Sequence, residues 1–132
     1  MEIPKRIILI DDDSINNMYN RYIIKEVLSD KSEVIMFAIP QKAVNYINSE
    51  YLLKPVHTVI FLDINMPVLS GWDVLEELEK SEIEIIEFFK IYILSSSVDP
   101  VDKQRAESSP FVSGFLEKPL EPAALRKICG IV

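Results

Sequence analysis

The sequence has one cysteine, no run of basic residues and no long apolar stretch, and each absence removes a class of protein. The single cysteine, Cys129, cannot form an intramolecular disulfide and is compatible with a reducing compartment. The net charge of −7 argues against nucleic-acid binding. No apolar run reaches the roughly 18 residues of a membrane span, and the apolar residues after Arg6 are too few for a secretory signal. We therefore expect a soluble, acidic, cytoplasmic protein that binds neither nucleic acid nor membrane.

The size of the chain fits one globular domain. It has 132 residues, of which 48% are hydrophobic, and a chain of this length can bury about two-thirds of its unfolded surface. No internal repeat, low-complexity segment or linker divides it. We therefore expect residues 1–132 to form a single domain with no output domain.

Apolar strand-like runs alternate with helical patterns along the chain. The predicted strands are Arg6–Ile10, Glu33–Ala38, Thr58–Leu62, Ile91–Leu94 and Val112–Glu117. The predicted helices are Ser14–Leu28, a short helix opened by Pro40, one that follows Gly71, one from Pro100 to about Ser109, and Pro122–Cys129, with Ser81–Phe89 as an irregular helical extension. Single helices between strands make right-handed parallel crossovers. The pattern predicts an α/β fold with a doubly wound five-stranded parallel sheet and helices on both faces.

Acidic and basic side chains follow the ends of the predicted strands. Asp11, Asp12 and Asp13 follow the first strand, Asp63 the third, and Lys118 belongs to the end of the fifth. Like charges about 5 Å apart repel by roughly 3 kcal/mol at an effective dielectric constant near 20, unless a cation or a lysine shares the site. Ligands of doubly wound sheets bind beyond the carboxyl ends of the strands. The acids suit Mg²⁺, although we interpret Asp13 as a helix cap.

The same positions carry chemistry for phosphoryl transfer. A carboxylate can attack phosphorus and form an aspartyl phosphate. A metal ion and a lysine would then neutralise the charge on the transferring group. Ser95, at the end of the fourth strand, has a hydroxyl that could donate a hydrogen bond to the phosphoryl oxygens.

Four motifs carry a resemblance to a known family. They are Ile-Leu-Ile-Asp-Asp-Asp at 8–13, Phe-Leu-Asp-Ile-Asn-Met-Pro at 61–67, Leu-Ser-Ser at 94–96 and Phe-Leu-Glu-Lys-Pro-Leu at 115–120, with Gly71 at the start of the helix that follows the second motif. In this order they resemble the receiver domains of two-component response regulators. The resemblance covers essentially the whole chain and implies the flavodoxin-like (β/α)5 fold.

The resemblance implies a role for each site residue. Asp63 would accept the phosphoryl group, and Lys118 would pair first with Asp63 and then with the phosphoryl group. Mg²⁺, or Mn²⁺, would be bound by Asp63 and directly by Asp12, with Asp11 as a ligand or acting through water, and by the backbone carbonyl of Asn65.

The resemblance also implies switch residues and partners. The Ser95 hydroxyl would turn toward the phosphoryl group, and Phe115, which has no hydroxyl, would act through packing alone. The peptide bond between Lys118 and Pro119 is cis in similar proteins. The phosphodonor would be a phosphohistidine of a sensor histidine kinase or a histidine phosphotransfer protein, and the signal would pass to an unidentified protein target by contact.

Two other functions remain open. A phosphatase of the haloacid dehalogenase type has a related pattern in Asp11-x-Asp13, a later serine and a lysine, but it needs a further acidic motif, and only Glu121 follows Lys118. A receiver-like interaction module that is not phosphorylated is the third reading. The complete set of acids, serine and lysine argues against that module.

Overall fold

Strands and helices alternate along the part of the chain that the structure describes. The computed structural model describes residues 3–49, 55–80, 87–97 and 99–131. The strands are β1 (Arg6–Ile10), β2 (Glu33–Phe37), β3 (Thr58–Leu62), β4 (Phe89–Ser95) and β5 (Val112–Glu117). The helices are α1 (Ser14–Leu28), α2 (Pro40–Asn48), α3 (Gly71–Glu79), α4 (Pro100–Ser108) and α5 (Pro122–Ile128).

The strands form one parallel sheet in the order β2-β1-β3-β4-β5. The chain moves outward from β1 to β2, then crosses back to β3 and continues to β5. The direction of winding therefore reverses between β1 and β3, which is the topological switch point of the fold. The fold class predicted from the sequence is confirmed.

The core consists of one apolar layer on each face of the sheet. Alternate residues of β1 serve opposite faces, since Ile8 and Ile10 belong to one layer and Ile7 and Leu9 to the other. Buried residues of α2, α3 and α4 complete the first layer, and those of α1 and α5 complete the second. Strands covered on both faces are apolar at nearly every position; β3 is such a strand, since all five of its residues are buried and four of them are apolar.

Local signals set the starts of the helices. The Asp13 side chain accepts hydrogen bonds from the first turn of α1, so the interpretation of Asp13 as a cap is confirmed. Ser70 and Asp73 form a reciprocal capping box at α3. Asp99 caps α4, where Pro100 occupies the first turn.

The predicted boundaries agree with the structure except at a few ends. The interpretation of Phe89 as helical is wrong, because β4 begins at Phe89 and pairs there with Thr58 of β3. Apolar residues next to acidic ones hid this strand start. The strand predicted to Ala38 ends at Phe37, and the helices predicted to Ser109 and Cys129 end one residue earlier. Glu87 and Phe88, also predicted as helical, form a turn, and the rest of the predicted extension, residues 81–86, lies outside the described residues.

Apolar residues at helical spacing predicted α1 correctly, but of Ile15, Met18, Tyr19, Tyr22, Ile23 and Val27 only Ile23 is buried. Ile15, Met18, Tyr19 and Tyr22 are exposed by 75, 65, 46 and 60%. The face that packs on the sheet is formed instead by Asn17, Asn20, Ile23, Ile24 and Leu28. The helix therefore has an exposed apolar stripe on one side and two buried asparagines on the other.

Candidate functional site

The switch point between β1 and β3 brings Asp11 and Asp63 together. The last residues of the two strands, Ile10 and Leu62, are in register, so the aspartates that follow them leave the sheet side by side. The Asp63 amide donates to the Ile10 carbonyl at 2.9 Å and extends the ladder one step. Asp11 is only 4% exposed and Asp63 only 5%. Two carboxylates are therefore held close together and largely away from water.

Lys118 supplies the cation that these two carboxylates require. Its Nζ lies 2.7 Å from Asp11 Oδ2 and 3.3 Å from Asp63 Oδ2. The lysine is brought there by the end of β5, where the Lys118 amide donates to the carbonyl of Ser95 at 2.9 Å. The structure therefore brings together the lysine and both acids, which the sequence analysis had placed at one edge of the sheet.

The site shifts the pKa of both Asp63 and Lys118. Burial raises the pKa of the Asp63 carboxyl, and the negative charge of Asp11 raises it further. The Asn65 amide and the Lys118 ammonium lower this pKa, but the net shift is upward. Burial would lower the pKa of Lys118, but the hydrogen bond and charge of Asp11, with those of Asp63, raise it overall. Lys118 therefore stays charged, whereas ionised Asp63 costs folding free energy.

The three consecutive aspartates have three different environments. Asp11 pairs with Lys118, and its other carboxylate oxygen, Oδ1, accepts the amide of Asp13 at 2.9 Å. Asp13 caps α1. Asp12 is exposed. Carboxylate oxygens of Asp11, Asp12 and Asp63 lie within 4.8 Å of one another. This set of hard oxygen donors, open to solvent at Asp12, fits Mg²⁺, which binds through few carboxylates and keeps other positions for water or phosphate.

Asn65 and Ser95 connect Asp63 to the end of β4. The Asn65 amide donates to Asp63 Oδ1 at 3.2 Å, and its side-chain Nδ2 is 3.5 Å from Ser95 Oγ, at the limit of a hydrogen bond. Ser95 is fully buried, and its Oγ accepts the amide of Ser97 at 3.1 Å. The hydroxyl proton of Ser95 is not used in either contact, so it can be donated.

The remaining sequence-predicted positions lie on β5 and just after it. Phe115 is half-buried and packs against the core layer of α2, α3 and α4. The peptide bond between Lys118 and Pro119 is cis, as the resemblance implied.

Two functional contacts were not predicted from the sequence. A Cβ added to Gly71 would lie 2.4 Å from the carbonyl oxygen of Asp63 and 2.7 Å from Ile64 Cα, so only glycine allows α3 to start so close to the site. Asn17 donates from its side chain to the carbonyl of Asp11 at 2.9 Å. The glycine was noted as part of a motif, but no local signal marks Asn17 as a neighbour of the acids.

The sequence comparison names the family to which this fold and this site belong. The model of the response regulator receiver domain matches residues 7–129. The chain therefore belongs to the response regulator receiver family of two-component signalling proteins. No curated protein matches the sequence.

Solved structures of other receivers have the same fold. A two-component response regulator from Cytophaga hutchinsonii is 30% identical with a TM-score of 0.86, over 96% of this chain and 95% of that one. A receiver protein from Dyadobacter fermentans DSM 18053 is 26% identical with a TM-score of 0.83, over 93% of each chain. The chemotaxis protein CheY4 of Vibrio cholerae, 23% identical over 97% of this chain and 96% of that one, shares the fold with a TM-score of 0.70. None of the helices described is long and apolar enough to cross a bilayer.

Proposed function

We propose that this receiver domain accepts a phosphoryl group on Asp63 in a Mg²⁺-dependent reaction. The observation that carries the proposal is the buried Asp63 carboxylate held between the Lys118 ammonium, 3.3 Å away, and the oxygens of Asp11 and Asp12. The family membership supports the same reaction. Two-component signalling makes a phosphohistidine of a sensor histidine kinase or a histidine phosphotransfer protein the expected donor.

Asp63 acts as the nucleophile. One carboxylate oxygen forms a bond to phosphorus while the bond between phosphorus and the donor imidazole nitrogen breaks, and that nitrogen keeps the electron pair and takes up a proton from solvent. Lys118 and the Asn65 amide favour the ionised carboxylate that this attack needs. Lys118 is also close enough to Asp63 to pair with the negative phosphoryl oxygens once they are attached there.

The residues that would hold the metal are Asp11, Asp12, Asp63 and Asn65, the last through its backbone carbonyl. When bound, Mg²⁺ neutralises negative charge on the transferring phosphoryl oxygens. Asp12, which is exposed, leaves the site open on the side where a phosphodonor must approach. Asp11 keeps its contact with Lys118 and so holds the two sides of the site together.

The signal leaves the site through Ser95 and Phe115. The Ser95 proton, free of the contacts to Asn65 and Ser97, donates to a phosphoryl oxygen. A turn of Ser95 toward Asp63 releases the amide of Ser97 and changes the segment that leads into α4. Phe115 then repacks in the core layer without a hydrogen bond, because its ring has no hydroxyl. The changed surface is read by a protein target.

The exposed apolar stripe of α1 supports a protein as the phosphodonor. The stripe comprises Ile15, Met18, Tyr19 and Tyr22 and begins two residues after Asp13. A protein that presents a phosphohistidine to Asp63 covers the surface around the site and can bury this stripe. The Met18→Ser, Tyr22→Ser double variant should therefore react with acetyl phosphate as the wild type does, but more slowly with a phosphorylated histidine phosphotransfer protein. Equal slowing with both donors would contradict this role of the stripe.

Intact-protein mass spectrometry after incubation with acetyl phosphate tests the reaction. The wild type should gain one phosphoryl group only with Mg²⁺, and the Asp63→Asn variant should gain none. Asp30→Asn is the matched control, because Asp30 is exposed and pairs with Lys25 at the surface; this variant should be labelled normally. Labelling of Asp63→Asn at the wild-type rate would refute the assignment of Asp63. No labelling of the wild type under any condition would favour the interaction module that is not phosphorylated.

A further inference from the structure

Asn17 is a buried polar residue on the face of α1 that packs against the sheet. It is 3% exposed, and its side chain lies beside the ends of β1 and β2. Nδ2 donates to the carbonyl of Asp11 at 2.9 Å and to the carbonyl of Phe37 at 3.3 Å. The two strands are still paired here, since the Asp11 amide donates to the same Phe37 carbonyl at 3.1 Å. One amide group thus bridges two strand ends at the edge of the acidic site.

Asn17 also holds the other side of the aspartate loop, which Asp11, Asp12 and Asp13 form. Its backbone amide donates to the carbonyl of Asp13 at 3.1 Å, which is the first hydrogen bond of α1. The side chain holds the carbonyl of Asp11 and the backbone holds the carbonyl of Asp13, so a single residue fixes both neighbours of Asp12. Asp12 itself is exposed, and no hydrogen bond or ion pair of its side chain with the described residues sets its position. The orientation of Asp12 therefore depends on the two residues that flank it.

Only one end of the Asn17 side-chain amide has hydrogen-bond partners. Its Oδ1 is buried and meets no hydrogen-bond donor among the described residues. A buried acceptor without a donor costs folding free energy, so the hydrogen bonds made by Nδ2 must offset this cost. What the asparagine provides is the pair of hydrogen bonds from Nδ2 to the carbonyls of Asp11 and Phe37.

We propose that Asn17 is a positioning residue that holds Asp12 in place as a ligand of Mg²⁺. The inference rests on the proposed function, because it concerns the cation that phosphorylation of Asp63 requires. Residues that orient metal ligands without touching the metal commonly change its affinity by 10- to 100-fold when they are replaced. Asn17 touches neither the cation nor the phosphoryl group in this role and acts only through the aspartate loop.

Isothermal titration with Mg²⁺ alone tests the proposal on the full chain. Asn17→Ala should raise the dissociation constant for Mg²⁺ about tenfold. Ser32→Ala is the matched control, because Ser32 is equally buried and its hydroxyl donates at 2.6 Å to the carbonyl of Pro4, near the opposite end of the same two strands. This variant should lose stability and keep its Mg²⁺ affinity within a factor of two. If Asn17→Ala does not fold, Asn17→Ser, which keeps a polar group, takes its place.

Two further measurements separate positioning from a general loss of structure. With acetyl phosphate, Asn17→Ala should need about tenfold more Mg²⁺ for half-maximal labelling and should approach the wild-type rate when Mg²⁺ is saturating. Amide hydrogen exchange of residues 11–13 should be faster in Asn17→Ala and unchanged in Ser32→Ala.

The outcomes distinguish this proposal from the proposed function. Wild-type binding of Mg²⁺ together with an unchanged dissociation constant in Asn17→Ala overturns the role of Asn17 alone. An equal loss of affinity in Ser32→Ala also overturns it, because the effect would then follow stability. A wild type that neither binds Mg²⁺ nor is labelled overturns both.

Discussion

Lys118 lies closer to Asp11 than to Asp63, the residue that is proposed to be phosphorylated. The distances from its Nζ are 2.7 Å to Asp11 Oδ2 and 3.3 Å to Asp63 Oδ2. A single, partly buried ammonium thus compensates two carboxylates that would otherwise repel each other. The ion pair with Asp11 holds Lys118 beside Asp63, and the contact between Lys118 and Asp63 is the longer of the two. Lys118 therefore stays in the site when Asp63 reacts.

Lys118→Met should destabilise the protein strongly when Mg²⁺ is absent. Removing one partner of a buried ion pair typically costs about 3 kcal/mol, and here two buried carboxylates lose their cation. Mg²⁺ should restore much of this loss, because it supplies positive charge to the same acids. Urea denaturation with and without Mg²⁺ measures both effects.

Lys80→Met is the control for that substitution. Lys80 pairs with Glu77 on the surface of the α3 end and is 73% exposed, and a surface pair contributes at most about 1 kcal/mol. Equal, Mg²⁺-independent losses in the two variants would mean that Lys118 does not compensate the acids.

Phosphorylated Lys118→Met should also lack the conformational change of the wild type, since no ammonium is left to pair with the phosphoryl group. A normal spectral response to phosphorylation would contradict that role.

Asp63→Asn should stabilise the protein at neutral pH. The folded state raises the pKa of Asp63 above its unfolded value, mainly by burial. A group of this kind contributes stability below its unfolded pKa of about 4, and this contribution is lost as the pH rises through the folded pKa. Without Mg²⁺, the variant should gain on the order of 1 kcal/mol at pH near 7. Urea denaturation across the acidic range should show the difference shrinking as the pH approaches about 4.

The exposed Asp30 provides the comparison for this pH dependence. Asp30→Asn removes a surface charge paired with Lys25 and should change the free energy of unfolding by less than about 0.5 kcal/mol. A destabilised Asp63→Asn variant at neutral pH would show that the contact with Lys118 outweighs the burial of the charge.

Gly71→Ala should damage both the fold and the site. Alanine favours a helix by up to about 1 kcal/mol over glycine, but its Cβ would lie 2.4 Å from the Asp63 carbonyl oxygen and 2.7 Å from Ile64 Cα. These are backbone atoms, so relief requires a shift of the Asp63 loop or of α3. We expect a net loss of about 2 kcal/mol, together with slower labelling by acetyl phosphate.

Gly114→Ala is a graded control for this clash. Its Cβ would meet only the side chain of Tyr92, at 3.1 Å, and a ring can move where a backbone cannot. Thermal unfolding should rank Gly71→Ala as the more destabilised variant, with labelling preserved in Gly114→Ala. The reverse order would contradict the close approach of α3 to Asp63.

Asp12→Ala and Asp13→Ala should separate metal binding from helix capping. Asp13 caps α1 through the amides of Ile15 and Asn16, so its loss should cost about 1 kcal/mol of stability. Asp12 is exposed, so its loss should leave stability within about 0.5 kcal/mol but raise the Mg²⁺ concentration needed for labelling. Thermal unfolding and Mg²⁺-dependent labelling check the pair. Interchanged effects would show that the assignments of the two aspartates are reversed.

Several features of this protein were predictable from local sequence patterns. Apolar runs marked the strands, and capping residues such as Asp13 and Asp99 marked helix starts, because these signals act over a few neighbouring residues. The meeting of Asp11, Asp63 and Lys118 also followed from the sequence, because the residues after parallel strands share one edge of the sheet.

Other features required the tertiary structure. The buried face of α1 contains Asn17 and Asn20 although more apolar residues were available on the opposite face. Hydrophobicity alone selects the wrong face here, because the carbonyl groups of Asp11 and Phe37 offer acceptors that only a polar side chain can use. Phe89 was also misassigned, because its strand pairing with Thr58 joins residues far apart in the chain.

By itself, the sequence determined the order of the elements, the parallel sheet and the set of residues at its carboxyl edge, because periodicity, capping and strand order are local or topological properties. Only the tertiary structure decided which contacts each of those residues makes. It places Lys118 nearest to Asp11, gives Asp13 to the helix and leaves Asp12 exposed. These choices depend on distances of a few tenths of an ångström between segments distant in sequence, and such distances are set by the packing of the whole domain.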